Sequence, residues 1–242
     1  MRVMVGIPTL SGKIPIDLMQ GLHDAMASTG HSVLLHYERG STPVDLARNK
    51  ICKQFLETDC DALWMIDDDT IPPANFAELL SVDADIVTPI IVGAQPMPDG
   101  RLGLFNVAYI QNPAGDWRTM DWEVRDTGVM DIDAAGTGCI LIKRAVIEDP
   151  RMRLPGHFVD VFGKDRVLEE TDPPALFEIK RKPNGEWLSG EDLTFCDRAK
   201  KLGYSIRLHT GVVCGHIKEV DLKSILLVAD KAEAIHAAAP VS

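Results

Sequence analysis

The first hundred residues alternate between short apolar runs and segments whose apolar residues recur at helical spacing, and this alternation constrains the fold most strongly. The apolar runs cover residues 2–7, 31–37, 62–66 and 86–92, and the helical segments begin near Pro15, Pro43 and Pro73. This β-α-β-α-β-α-β order predicts a parallel sheet with helices packed on its faces. Ligands of such sheets bind beyond the carboxyl ends of the strands.

The second part of the chain has a different pattern. Short strands are predicted over 102–110, 121–125, 129–133, 139–142 and 204–208, and helices over 191–202 and 221–236. Residues 149–175 lack periodicity, and a segment of this length often forms a lid or a binding loop. The pattern predicts a smaller β region attached to the parallel sheet.

Composition narrows the possible partners. The net charge of −11 argues against a broad surface for nucleic acid or anionic membranes. The N-terminus is too interrupted for a signal peptide, and no apolar run is long enough to span a bilayer. Five cysteines without a CxxC motif are typical of reduced thiols. These observations favour a cytoplasmic protein.

Three consecutive aspartates, Asp67, Asp68 and Asp69, follow the third apolar run. Like charges this close repel one another, so a cation or water must stabilise them. Mg²⁺ and Mn²⁺ prefer oxygen ligands, and a protein often supplies only one or two of them beside a substrate phosphate. Alternate residues of an extended segment point the same way, so Asp67 and Asp69 can share one side. The run predicts a metal site, and a solvated turn is the simpler alternative.

Two further groups are candidates for chemistry. Glu191 and Asp192 open the helix predicted over 191–202. Carboxylates stabilise a helix N-terminus, which is a sufficient structural reason for the pair, but one that faces the ligand edge can also act as a general base. His216 alone is a weak metal signal, and becomes a candidate ligand only beside the aspartates.

Residues 6–14 superficially match a phosphate-binding P-loop. Five residues rather than four separate Gly6 from Gly12, Ile14 replaces the Mg²⁺-binding hydroxyl, and Pro8 lacks an amide that the phosphate cradle needs. We therefore set the P-loop interpretation aside.

Six segments, taken in order, resemble the motifs of GT-A-fold glycosyltransferases, in particular the family 2-like enzymes, including short ones found in phage and bacterial genomes. They are GIPTL (6–10), ERGST (38–42), LARNK (46–50), MIDDDTIPP (65–73), AAGTGCILIKRAVI (134–147) and GEDLTFCDRAKKLGYSIRLHTGVVCGH (190–216). The aspartates match the DxD motif of that family, and residues 190–192 match the start of its Glu-Asp helix. The family usually has two acids where this chain has Glu38 and Arg39.

The resemblance implies an α/β GT-A fold with a Rossmann-like, mostly parallel central sheet, flanked by helices, and a smaller acceptor-side β region. It implies a single domain over 1–242, with a nucleotide-sugar-binding half (1–100), an acceptor-side half (101–216) and a C-terminal helix (217–242).

The resemblance also implies roles for individual residues. The nucleotide sugar would be bound by Pro8, Thr9, Glu38, Arg48, Asn49, Asp67 and Asp68. Mn²⁺ or Mg²⁺ would be bound by Asp67, Asp69 and His216. Asp192 would be the general base, with Glu191 beside it.

The expected function is metal-dependent, inverting transfer of a sugar from a nucleotide diphosphate, with UDP-sugars favoured, to an acceptor hydroxyl. The acceptor is not readable from the sequence; nucleic acid is disfavoured by the charge, although a modified base in phage-type DNA stays among the candidates. Two alternatives are a nucleotidyltransferase, for which Lys13 is the one candidate cation near the first strand, and a non-catalytic nucleotide- or carbohydrate-binding protein of the same fold.

Overall fold

The computed structural model describes residues 1–96, 102–120, 128–154, 157–159, 165–167, 173–182, 184 and 186–217. Its α-helices are α1 (Ile16–Thr29), α2 (Val44–Leu56), α3 (Ala77–Leu80), α4 (Arg144–Glu148) and α5 (Glu191–Lys201), with a 3₁₀ helix at Pro150–Met152. Its strands are β1 (Arg2–Thr9), β2 (Ser32–Arg39), β3 (Ala62–Ile66), β4 (Thr70–Ile71), β5 (Ile86–Pro96), β6 (Leu102–Asn106), β7 (Ala108–Gln111), β8 (Trp117–Thr119), β9 (Val129–Asp131), β10 (Ala134–Ala135), β11 (Cys139–Lys143), β12 (His157–Val159), β13 (Asp165–Val167), β14 (Lys180–Arg181), β15 (Trp187–Ser189) and β16 (Ile206–His216).

The central sheet has the strand order β2-β1-β3-β11-β5-β16-β4, with β6 paired to β5 and β9 paired to β16. Strand β1 runs parallel to β2 and β3, and β5 runs parallel to β16. Strand β11 is antiparallel to both β3 and β5, so β3 and β5 point the same way. The sheet is therefore mostly parallel, and the ends of β3, β5 and β16 meet at one edge.

Alternating side chains of the sheet face two separate apolar layers. Met4, Leu63 and Met65 pack with residues of α2 and α5, whereas Val5 and Trp64 pack with residues of α1 and α3. Every residue of β3 is buried, because helices cover both faces. The mixed α/β architecture with a large, mostly parallel sheet and a small separate sheet, β10-β7-β8, confirms the predicted fold class.

Several sequence predictions need correction in detail. The sheet is not parallel throughout, because β11 lies between β3 and β5 and runs antiparallel to both. The helix predicted from Pro73 begins only at Ala77, since Phe76 forms a turn and stacks on Trp64 with ring centroids 3.5 Å apart. The strand predicted over 204–208 begins at Ile206 and continues to His216.

Some predictions fall on residues outside the described ranges, namely the strand at 121–125, the helix at 221–236, and residues 155–156, 160–164 and 168–172 of the segment 149–175. Among the helices of the described part, none combines the length and apolar character needed to cross a membrane. All five cysteines are free and buried.

Candidate functional site

The aspartate run forms a tight turn at the carboxyl end of β3. The amide of Asp67 donates to the carbonyl of Gly138 (3.0 Å), and the amide of Thr70 donates to the carbonyl of Asp67 (3.0 Å). Strand β4 then pairs with the end of β16, and the amide of Ile217 donates to the carbonyl of Asp69 (2.7 Å). These bonds bring the end of β16 beside the turn.

His216 and Asp69 are brought together by this pairing. Nε2 of His216 lies 3.3 Å from Oδ2 of Asp69, and Nδ1 lies 2.8 Å from the carbonyl oxygen of Val92. A carbonyl oxygen can only accept, so Nδ1 carries a hydrogen. A neutral ring in that tautomer presents a lone pair at Nε2, which then faces a second acceptor. A proton or a metal cation between the two atoms makes this contact favourable.

Arg48, on α2, links two of the predicted site residues. It is 3% exposed. Its Nη1 and Nη2 donate to the two carboxylate oxygens of Asp67 at 2.8 and 3.2 Å, and its Nε donates to Oε1 of Glu191 at 3.2 Å. Burial alone lowers the pKa of Arg48, but the two carboxylates outweigh it and raise the pKa overall.

Asp192 follows Glu191 in the first turn of α5, and its environment differs from that of its neighbour. Burial, followed by the charge of Glu191, raises the pKa of Asp192 to about 6, although the amide of Leu193 and the charge of Arg48 act in the opposite direction. Burial and the charge of Asp192 likewise raise the pKa of Tyr109 to about 12. Asp192 therefore holds a proton more tightly, and is more basic, than an ordinary aspartate.

These side chains line one pocket of about 200 Å³. The lining comprises Arg48, Asp67, Asp69, Ile91, Val107, Gly136, Thr137, Gly138, Glu191, Asp192 and His216. Four carboxylates and one guanidinium line this pocket. When all of them are ionised, the pocket carries a strongly negative charge. An anionic ligand such as a diphosphate needs a cation to enter it.

The predicted nucleoside contacts Pro8, Thr9 and Glu38 lie together elsewhere on the same sheet edge. Pro8 is opposite Glu38 at the parallel junction of β1 and β2, and Thr9 is the next position along. The hydroxyl of Thr9 accepts from the amide of Gly12 (3.1 Å), and Glu38 accepts from Nζ of Lys50 (3.3 Å). These three residues are outside the lining of the pocket.

The side chain of Asn49 makes structural hydrogen bonds that its sequence position did not reveal. Its Oδ1 accepts from the amides of Leu176 and Phe177, both at 2.9 Å, and its Nδ2 donates to the carbonyl of Phe177 at 2.9 Å. The side chain thus fixes the segment before α5 to α2. Its predicted contact with the nucleotide remains a prediction, as does that of Asp68, which lies half-buried in the turn.

Sequence reasoning missed other residues at this edge. Thr137 lines the pocket and is 2% exposed. Arg39 packs closely on Gly12: a Cβ atom added to Gly12 would lie 2.4 Å from Nε of Arg39. Arg39 could have been noticed from the sequence, because it is a cation where the similar family usually has an acid. Thr137 is uncharged and carries no such signal.

The donor set suits a hard divalent cation with substrate ligands. Asp69 and His216 could supply an oxygen and a nitrogen ligand, and the bond from His216 to Val92 holds the imidazole ring in place. Within the described ranges, no three His, Cys, Asp or Glu side chains are grouped tightly enough to hold an ion without other ligands. Mg²⁺ and Mn²⁺ sites often have this incomplete protein shell, which substrate phosphates and water complete.

Comparison with known proteins supports the fold. No protein-family model and no curated protein matches the sequence. The structure is similar to the crystal structure of A197 from STIV, with a TM-score of 0.50, 17% identity, and 90% of this chain and 87% of that chain covered. It is also similar to GalNAc-T7, crystallised with UDP, GalNAc and Mn²⁺, with a TM-score of 0.54, 13% identity and 90% of this chain covered. The match spans 44% of the GalNAc-T7 chain. At these identities the likeness establishes the GT-A fold.

Proposed function

We propose that this chain is a metal-dependent, inverting glycosyltransferase that moves a sugar from a nucleotide diphosphate, most simply a UDP-sugar, to an acceptor hydroxyl. The contact between His216 and Asp69 carries the proposal, because two acceptor atoms 3.3 Å apart at the pocket need a cation or a proton between them. The GT-A fold, shared with a protein crystallised with UDP and Mn²⁺, supports the same interpretation.

In this proposal Asp69 and His216 hold Mn²⁺ or Mg²⁺. When bound, the cation stabilises the negative charge of the departing diphosphate. Asp67 is proposed as a third contact to the metal or the donor sugar. Arg48 donates one hydrogen bond to each carboxylate oxygen of Asp67. A carboxylate has about four acceptor sites, so Asp67 keeps lone pairs for a further contact.

Asp192 is proposed as the general base that removes the proton from the acceptor hydroxyl. With a pKa of about 6 it is ionised at neutral pH and is more basic than an ordinary aspartate. Glu191 keeps this basicity high through its adjacent charge. A base acting on the acceptor, with no carboxylate bonding to the sugar, favours inversion at the anomeric carbon.

The test starts with binding. A thermal-shift screen of UDP-, GDP-, CMP- and dTDP-sugars with Mn²⁺ or Mg²⁺ should give one base that raises Tm only with metal. With that donor, Asp192→Asn should lower nucleotide release at least 100-fold and leave nucleotide affinity within threefold. Asp197→Asn, at an exposed pair with Lys201 on the same helix, is the matched control and should keep full turnover.

Two results would contradict the proposal. If no nucleotide sugar shifts Tm with either metal, the chain is not a nucleotide-dependent transferase. If the wild-type chain binds a donor but releases no nucleotide, with or without sugar acceptors, it is a binding protein.

One observation favours a nucleotidyltransferase as the second candidate. Such an enzyme needs cations for a triphosphate near the loop after β1, and Arg39 packs against Gly12 of that loop, beside Lys13. The two functions differ in their products. A nucleotidyltransferase releases pyrophosphate from a nucleoside triphosphate and a sugar phosphate, whereas a glycosyltransferase releases a nucleoside diphosphate from a nucleotide sugar.

A further inference from the structure

The bridge through Arg48 joins parts of the chain that are far apart in sequence. Arg48 and Asp67 are 19 residues apart, and Arg48 and Glu191 are 143 residues apart. The guanidinium thereby connects α2 with the turn after β3 and with the first residue of α5. The turn and the helix start that it joins both contribute side chains to the pocket, and these are groups that the proposed reaction uses.

The shape of a guanidinium suits this task. Its N–H groups lie in one plane at fixed angles, so two of them can face one carboxylate while Nε faces another. A lysine ammonium has the charge but no such plane, and it cannot keep both carboxylates at the observed distances. Since the Arg48 side chain is only 4% exposed, water does not readily replace the missing hydrogen bonds.

We infer that Arg48 is a positioning residue of this site: it holds the turn bearing Asp67 and Asp69 at a fixed separation from the helix start bearing Asp192. The inference rests on the proposed function. Arg48 acts through Asp67 and Glu191, with its guanidinium occupied by these two carboxylates, so its role is to place the proposed metal-binding and base groups correctly for one substrate.

The sharpest test separates turnover from binding. Arg48→Lys, Glu191→Gln and the double variant are compared with the wild type, using UDP with Mn²⁺ as the binding probe in calorimetry and UDP release from a UDP-sugar as turnover. Arg48→Lys should lower kcat at least 30-fold while KM and the Kd of UDP change less than threefold. The double variant should be no slower than the slower single variant, because both changes break the same bridge.

Arg144→Lys is the matched control. Like Arg48, Arg144 makes several hydrogen bonds, in its case to the main-chain carbonyls of Phe55, Thr58 and Cys60, but it lies outside the pocket lining. This variant should lower Tm and leave the kcat of the folded protein within twofold. If Arg48→Lys fails to fold, Glu191→Gln retains the side-chain shape and should by itself lower kcat with little change in KM.

The outcomes are distinguishable. A wild-type chain that neither binds UDP with Mn²⁺ nor releases UDP overturns the proposed function and this inference with it. A wild-type chain that turns over, together with Arg48→Lys or Glu191→Gln variants within twofold of it, overturns the inference alone. Effects that multiply in the double variant also contradict it, since they mean that the two residues act independently.

Discussion

The guanidinium of Arg48 and the carboxylate of Asp67 form a two-point ion pair, with N–O distances of 2.8 and 3.2 Å. The Arg48 side chain is almost completely buried, and that of Asp67 is 30% exposed. Such a pair contributes little net stability when both members are present. Removal of one member is costly, because it leaves a poorly solvated charge behind.

Arg48→Met should therefore destabilise the protein clearly, by about 3 kcal/mol in the free energy of unfolding. Urea denaturation at pH 7 measures this change. Lys201→Met is the control, because Lys201 forms an exposed pair with Asp197 at 2.7 Å and should cost less than about 0.5 kcal/mol. Equal effects of the two substitutions would mean that the Arg48 bridge is not an interior ion pair.

Asp192→Asn should make the protein more stable at neutral pH although it removes the proposed base. The pKa of Asp192 is about 6 in the folded chain and near its usual value of 3.8 in the unfolded chain. Between these values the folded state keeps a proton that the unfolded state releases, so wild-type stability falls as pH rises through this window. The variant should exceed the wild type by about 1–3 kcal/mol above pH 6, with the gain vanishing below pH 4.

Denaturation curves from pH 3 to pH 8 would measure that difference. A gain that does not depend on pH would point to a packing effect of the substitution. A loss of stability at pH 7 would contradict the raised pKa itself.

The pH dependence of turnover should reflect the same group. Because the base must be ionised, kcat/KM should rise with pH up to about 6 and then level off. Glu191→Gln removes a charge that raises the pKa of Asp192, so the midpoint should move to lower pH. A midpoint that stays in place in this variant would show that another group sets the profile.

Asn49→Ala tests the bond between α2 and the segment before α5. The change leaves the buried amides of Leu176 and Phe177 without their acceptor and should cost about 2–4 kcal/mol of stability. Asn112→Ala is the control: Oδ1 of Asn112 also accepts from two amides, but in an exposed turn, and its loss should cost less than about 1 kcal/mol. The Kd of UDP should stay within threefold in the folded Asn49 variant; a larger loss would favour the predicted nucleotide contact.

The sequence predicted the main elements because local patterns carry them. Alternating strands and helices indicated the sheet, and the apolar run of residues 62–66 ended directly before the aspartates. The insertion of β11 between β3 and β5 was not readable, since pairing between distant strands leaves no local signal. For the same reason the motif order could suggest Asp69 and His216 as partners, but the pairing of β4 with β16 was needed to bring them within 3.3 Å.

For the candidate site, too, the sequence predicted several of the residues that line the pocket but not which contacts they make. Arg48 was predicted to lie near the nucleotide from its place in a motif, whereas its two bonds to Asp67 and its bond to Glu191 depend on how α2 packs against the sheet. Glu191 and Asp192 are sequence neighbours in different environments: Glu191 bonds to Arg48, and Asp192 has the raised pKa. A linear pattern of two acids cannot distinguish these environments.

The most direct test of the account is the affinity for UDP, measured by calorimetry with Mn²⁺ and again with EDTA, in the wild type, Asp69→Ala and His216→Ala. We predict that the wild type binds at least tenfold more tightly with Mn²⁺ than without it, and that either substitution abolishes this difference while the fold is retained. Equal affinity of the wild type with and without Mn²⁺, or an unchanged metal dependence in Asp69→Ala, would contradict the claim that these two residues form the metal site.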